Sequence, residues 1–281
     1  FGAKVEVIHD DSSYGEKINR NCGSTHLEVL TQLVKEKQLD FGAAFDGDGD
    51  RCLMVDKDGT VIDGDDMVAC MANYLGLSKV AVTIMANKGL LNWSKETGVE
   101  LVITDVGDQN VSAKMREDGI LLGGEQSGHI ILPGESMGDG ILTALVMTKI
   151  YSETLARKQN EDQLILGYES IQKAKAGEDS TVSGDVTLKS ICSMLKKLPQ
   201  TIKNQSVSHS LKQAFRTNAE VAKEFIKQQT KELETLNWSL NIRASGTEEL
   251  VRITIWGDNP EKIRAKADEI AEKLKSLEDL I

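Results

Sequence analysis

Three aspartates at alternate positions, Asp46, Asp48 and Asp50, are separated by Gly47 and Gly49 and followed by Arg51; no other stretch constrains this chain as much. The apolar run Phe41 to Phe45 before them reads as a buried strand. The two glycines allow positive φ, so the chain can curl just past the strand end and turn all three carboxylates inward. Held within about 5 Å, each carboxylate pair repels by roughly 3 kcal/mol at an effective dielectric near 20. Gathering them favours a bound cation. An all-oxygen set without thiolate or imidazole suits Mg²⁺, which completes its octahedron with water or phosphate oxygens. An EF-hand loop also begins with alternating aspartates, but it needs glycine at its sixth position and glutamate at its twelfth, where Arg51 and Lys57 stand. The plainer alternative is an exposed Asp-Gly turn.

The neighbouring sequence places this loop between two strands. Cys52 to Val55 reads as a strand, Lys57-Asp58-Gly59 as a hairpin turn and Val61-Ile62 as the return. Upstream, Lys4 to Val7 alternates as a strand with no lead-in, so the chain is expected to start inside a domain. Thr25-His26-Leu27-Glu28 has the form of a capping box, opening a helix with Leu27, Leu30, Leu33 and Val34 inward. Downstream, Asp63-Gly64-Asp65-Asp66 precedes Met67, Val68, Met71, Ala72 and Leu75 at helical spacing, so it is expected to cap a helix rather than hold a second ion.

Strand (Val80 to Ile84), helix (Lys88 to Thr97) and strand (Leu101 to Thr104) then form a βαβ unit, which implies a parallel pair. A helix from Asp108 to Glu117, a strand from Ile130 to Leu132 and a helix from Gly140 to about Ala156 follow. Residues 157–185 are polar and weakly periodic and mark a boundary, and a short helix from Val186 to Leu198 ends at Pro199. The remainder reads as a strand (Ile202 to Val207), a helix (Ala219 to Leu236), two strands (Ser239 to Ile242, Leu250 to Trp256) and a helix from Asn259. The expected fold class is α/β, with mixed-sheet α/β domains over 1–62 and 63–170, a linker over 171–198 and a small α+β domain over 199–281.

Two further loops carry chemistry. Gly124-Glu125-Gln126-Ser127-Gly128-His129 brings a carboxylate, a hydroxyl and an imidazole together, a set able to bind sugar hydroxyls. The alternative is a structural turn in which Glu125 caps a backbone amide and His129 packs on the sheet. Arg243-Ala244-Ser245-Gly246-Thr247, with Arg252 in the next strand, suits a phosphate: a glycine turn offers amides, Ser245 and Thr247 offer hydroxyls and Arg243 offers a two-pronged guanidinium. The alternative there is a hairpin with an exposed arginine.

Composition narrows the partners. A net charge of −11 argues against nucleic acid, so an anionic substrate must meet local basic pockets. No apolar run is long enough for a membrane span and the N-terminus lacks a signal-peptide pattern, so no membrane partner and a cytoplasmic location are expected. Cys22, Cys52, Cys70 and Cys192 are widely spaced and read as reduced thiols, while His9, His26 and His209 read as surface residues.

Taken jointly, the cation, sugar and phosphate loops describe a phosphosugar enzyme. The sequence resembles the α-D-phosphohexomutase family nearly end to end. The match runs through Asn21 to His26, the Asp46 to Arg51 loop, Val106-Gly107-Asp108, Gly124 to His129, Gly138-Asp139-Gly140 and Arg243 to Arg252. The wording of Gly124 to His129 is most similar to the family's bacterial branch acting on glucosamine phosphates. The resemblance implies four domains, of which this chain holds the end of the second, the third and the fourth. Its missing partner is then an N-terminal domain of the same protein, bearing the phosphoserine that exchanges a phosphoryl group with the sugar. Asp46, Asp48 and Asp50 would hold Mg²⁺, and Arg51 would steady the transferring phosphoryl group. Glu125 and Ser127 would bind sugar hydroxyls, with His129 as a proton-transfer candidate. Arg243, Ser245, Gly246 and Thr247 would clamp the phosphate that is not reacting.

The implied reaction converts glucosamine 6-phosphate to glucosamine 1-phosphate through a bisphosphate, with the isolated chain inactive and a homodimer allowed. Two departures bear on this: Ala244 stands where relatives often have proline, and Gln109-Asn110 stands where relatives with the same substrate often have Arg-Tyr. A mannose or glucose phosphate mutase of the same family, a phosphatase using Asp46 as nucleophile and a non-catalytic phosphosugar-binding module are the other readings.

Overall fold

The computed structural model describes residues 2–10, 15–173, 185–246 and 248–277. The chain divides into two compact units: Phe1–Ala86 with Trp93–Leu195, and Asn87–Asn92 with Lys196–Ile281.

In the first unit a 3-10 turn at Gly15–Lys17 precedes α1 (Glu28–Glu36), β1 (Phe41–Phe45), β2 (Cys52–Asp56), β3 (Val61–Ile62) and α2 (Gly64–Leu75). There follow β4 (Lys79–Thr83), α3 (Gly89–Thr97), β5 (Glu100–Thr104), α4 (Asp108–Asp118), β6 (Gly123–Gly124), β7 (Ile130–Ile131), α5 (Gly140–Lys173) and α6 (Leu188–Ile191). Strands β1, β2 and β3 form an antiparallel sheet in which Phe45 pairs with Cys52, so residues 46–51 are the connection of a hairpin. A second sheet has the order β5-β4-β6-β7, parallel across its first three strands and antiparallel between β6 and β7. Val111, Met115 and Ile120 pack under it against Ala81 and Ile131. Because β4 and β5 run parallel, α3 must carry the chain back between them.

The acidic stretch before α2 is a helix cap, as its spacing predicts. Asp63 Oδ1 accepts from the amides of Asp65 and Asp66 at 3.1 and 3.3 Å, and Asp66 Oδ2 accepts from Asp63 N at 2.9 Å. Asp63→Ala is expected to lower stability by about 1 kcal/mol, read as a lower urea midpoint at unchanged slope. An unchanged midpoint would show that water replaces the cap without loss.

The second unit continues with β8 (Gln200–Ser206), α7 (His209–Arg216), α8 (Glu220–Glu234), β9 (Ser239–Ala244), β10 (Leu250–Trp256) and α9 (Pro260–Lys275). Its sheet is antiparallel in the order β8-β10-β9. Val251, Ile253 and Ile255 alternate onto one face, where they meet Phe215, Phe225, Ile263 and Ile270 in a core. Asn87 explains why a few residues preceding and opening α3 group with this unit. Its amide nitrogen donates to Leu198 O and its Oδ1 accepts from Leu198 N, both at 2.9 Å, and the Lys88 ammonium lies 4.9 Å from the centre of the Trp256 ring.

Several local expectations fail for identifiable reasons. Lys4 to Val7 forms no strand: no described strand pairs with it, and Val5 and Val7 lie exposed. Thr25 does not cap α1, which begins at Glu28 behind Leu27 without a side-chain cap, because His26 N closes a turn on Gly23 O at 3.3 Å. Helix α5 runs on to Lys173, well past Ala156; residues 157–173 contain no proline and are rich in straight-chain helix formers, so weak amphipathicity does not end it. The helix expected over Val186 to Leu198 shrinks to α6: past Cys192 the backbone makes short turns instead, Ser193 N to Ser190 O at 3.3 Å and Leu195 N to Cys192 O at 3.2 Å. Helix α7 had not been foreseen. All four cysteines are free, and burial pushes the Cys52 thiol up to about 12.

Candidate functional site

The Asp46 loop is shaped by its own backbone and by residues far along the chain. Gly49 adopts φ +73° and its amide closes a turn on Asp46 O at 3.2 Å. Arg51 N donates to Asp46 Oδ1 at 3.2 Å, and Arg51 Nε lies 3.8 Å from Asp46 Oδ2. Outside the hairpin, Cys52 N donates to Gly128 O at 3.0 Å, Gly140 N donates to Gly49 O at 2.9 Å, and Arg51 bridges to His129. Glycine is needed at two of these approaches. A Cβ on Gly128 would lie 2.1 Å from Cys52 O, and one on Gly140 would lie 2.4 Å from Arg51 O.

This frame brings one carboxylate oxygen each of Asp46, Asp48 and Asp50 within 4.8 Å of one another, the one such group of acidic, histidine or cysteine ligands among the described residues. Asp50 Oδ1 is buried with no hydrogen-bond partner, the state of an oxygen that awaits a ligand. Orphaned oxygen, close carboxylates and an all-oxygen donor set fit a hard divalent cation.

His129 is buried beside this cluster. Gly138 N donates to its Nε2 at 3.1 Å, so Nε2 carries the lone pair and the proton sits on Nδ1, 3.0 Å from Asp50 Oδ2. Both ring nitrogens are occupied, and proton transfer through His129 would require breaking one of these bonds. The ring is also placed to orient Asp50. Gly138 can pass this close only because it has no Cβ, which would meet the imidazole at 2.6 Å. The Gly138-Asp139-Gly140 motif is thus a pair of close approaches around the cation loop, a role that spacing alone does not reveal.

Glu125, Gln126, Ser127 and Gly128 form a tight turn between β6 and β7, closed by Gly128 N to Glu125 O at 2.9 Å with Gly128 at φ +90°. Ser127 stands exposed at its tip. Glu125 Oε1 accepts from Gly107 N at 3.1 Å, at the start of α4. The capping role considered from sequence is therefore real, and it leaves the second carboxylate oxygen for another donor.

In the second unit the loop between β9 and β10 holds Arg243, Ser245 and Gly246; Thr247 lies outside the described residues. Ser245 is buried, its amide donates to Leu250 O at 2.9 Å and its Oγ accepts from Glu248 N at 3.3 Å, leaving the hydroxyl proton free to donate. Arg243 and Arg252 are directly opposite in register, so two guanidinium stems share one face of the sheet. Like charges so placed repel, and an anion between them removes the penalty. Arg252 Nη2 meets Glu248 Oε2 at 3.4 Å, while its buried Nε has no hydrogen-bond partner.

Comparison with known proteins finds two domains of one family in the chain. The phosphoglucomutase/phosphomannomutase alpha/beta/alpha domain III model matches residues 63–166 and the C-terminal domain model of the same family matches 203–273, together well over half of the chain. The phosphoglucosamine mutase of Clostridium tetani is 37% identical over 284 residues, 99% of this chain and 55% of its own length. That of Clostridium botulinum strain Alaska E43 is 40% identical over the same shares. Among solved structures, Aspergillus fumigatus N-acetylphosphoglucosamine mutase in complex with GlcNAc-6P and magnesium has a TM-score of 0.69 at 19% identity, over 96% of this chain and 56% of that one. Mixed α/β and small α+β units bearing these loops are those of phosphohexomutases. The chain belongs to the phosphoglucomutase/phosphomannomutase family, and it spans about 55% of the length of these curated relatives. No described helix is long and apolar enough to cross a membrane.

Proposed function

We propose that this chain is the C-terminal part of a Mg²⁺-dependent mutase that interconverts glucosamine 6-phosphate and glucosamine 1-phosphate. What carries the reading is the Asp46, Asp48 and Asp50 cluster, locked to the Glu125 to His129 turn in a chain 37% identical to a phosphoglucosamine mutase.

Asp46, Asp48 and Asp50 hold the cation, which when bound supplies positive charge against phosphoryl oxygens. Arg51 presents its partly exposed guanidinium to the phosphoryl group in transit, and His129 fixes the direction of Asp50. The unengaged oxygen of Glu125 and the Ser127 hydroxyl bind sugar hydroxyls. Arg243, the Ser245 hydroxyl, the Gly246 amide and Thr247, joined by Arg252, bind the non-reacting phosphate. Keeping that phosphate recognised lets a bisphosphate be processed in either orientation. In this reading the phosphoryl carrier is a serine in the part of the relatives' length that this chain does not span, the isolated chain is inactive, and the working protein is cytoplasmic.

A coupled assay on glucosamine 6-phosphate and mannose 6-phosphate, run on this chain and on the longest product of its gene, tests the proposal. Turnover of the amino sugar by the longer product alone is expected; turnover by the 281-residue chain would place the carrier within it and overturn the mechanism. In the active protein Arg243→Ala is expected to raise KM for the phosphosugar by about tenfold to a hundredfold, from the loss of a charge-assisted bond pair. An unchanged KM would remove the phosphate assignment.

A further inference from the structure

Lys212 stands out as a buried ammonium that the proposed chemistry does not use. Its side chain is 6% exposed, on the inner face of α7 between Leu211 and Phe215. A buried charge persists only when it is compensated, and among the described residues its partner is Glu249, with Nζ 3.3 Å from Oε1. The carboxylate of Glu249 is itself half-exposed, so burial fixes the lysine end of this pair more firmly than the glutamate end. His209, in the first turn of the same helix, brings Nδ1 to the same oxygen at 3.3 Å. The backbone of Glu249 is held as well, since Val207 N, just before α7, donates to its carbonyl at 3.2 Å.

Glu249 closes the anion loop. Leu250 N donates to Glu248 O at 2.9 Å, Ser245 N donates to Leu250 O, and Glu248 N donates to Ser245 Oγ. Anchoring Glu249 therefore sets where Ser245 and Gly246 lie relative to Arg243 before any ligand arrives.

We propose that Lys212 is a positioning residue for phosphate recognition: through Glu249 it preorganises the β9–β10 loop, so that α7 supports that loop as well as the core. The inference rests on the phosphate reading given above. Holding the loop in its bound form avoids an ordering cost at each binding event, worth about tenfold in affinity.

The test is kinetic, on the active whole protein. Lys212→Met is expected to raise KM for glucosamine 6-phosphate about tenfold with kcat changed less than about twofold. It should also speed hydrogen exchange at the Ser245 and Leu250 amides, and Lys212→Arg, which keeps the charge, should restore both. Unchanged KM and exchange in Lys212→Met, with Arg243→Ala still raising KM, would overturn the positioning role and leave the phosphate reading intact. If Arg243→Ala also leaves KM unchanged, both fall together. Should Lys212→Met fail to fold, Lys212→Met combined with Glu249→Gln removes the pair without stranding a buried charge, and the same rise in KM is required of it.

Discussion

Asp48→Ala in the active whole protein is expected to cut turnover by about a hundredfold or more while leaving its thermal midpoint in place. The three aspartates are not equivalent as probes. Asp46 accepts from Arg51 N and Asp50 is bonded to His129, so removing either disturbs the loop as well as the cation. Asp48 is exposed and has no hydrogen bond or ion pair among the described residues. Its loss removes a ligand, and because the side chain is exposed and its repulsion is screened by water, the apo fold changes little in stability. Calorimetric titration with Mg²⁺ alongside the assay separates the causes. Lost affinity with lost turnover supports the cation loop; near-normal turnover with unchanged affinity would sink it.

Gly128→Ala is expected to be strongly destabilising in the first unit. The residue sits at φ +90°, where a Cβ is strained, and that Cβ would lie 2.1 Å from Cys52 O, a backbone atom fixed in β2. Strain and overpacking together amount to about 3 kcal/mol or more, seen as a fall in the urea midpoint. Gly246→Ala is the control, since a Cβ there meets nothing within 4 Å. Equal midpoints for the two variants would show that the Gly128 turn relaxes away from β2 at little cost.

Much of the fold was legible because local signals and tertiary packing agree. The apolar run into Asp46, the hairpin at Lys57 to Gly59, the capped start of α2 and the βαβ unit all follow from period and turn chemistry. Where tertiary contacts decide, sequence reading fell short. Thr25 has the form of a cap, but the Gly23 turn takes the chain elsewhere. The helix that periodicity would carry to Leu198 stops at Ile191, and Asn87 holds Leu198 in a non-helical segment. Helix α7 carried a detectable signal, Ser208 as cap followed by Leu211, Ala214 and Phe215 at helical spacing, and with it Lys212 could have been found. The ligand types of the candidate site were readable as motifs. The meaning of Gly138 and Gly140 was not, because it lies in approaches between segments remote in the chain.

The frame around Gly49 and Arg51 has a consequence for biosynthesis. The amide of Gly140 and the carbonyl of Gly128 hold the acidic hairpin from outside, and both are made long after the aspartates themselves. A nascent chain that ends at α4 carries all three carboxylates but lacks the backbone that aims them. In the proposed reading the ligands of the cation are therefore held by backbone hydrogen bonds from remote segments, unlike those of a zinc finger, whose fold waits for its metal. Treatment with a chelator should silence such an enzyme without unravelling it, and returning the salt should revive it at once, with no refolding step between.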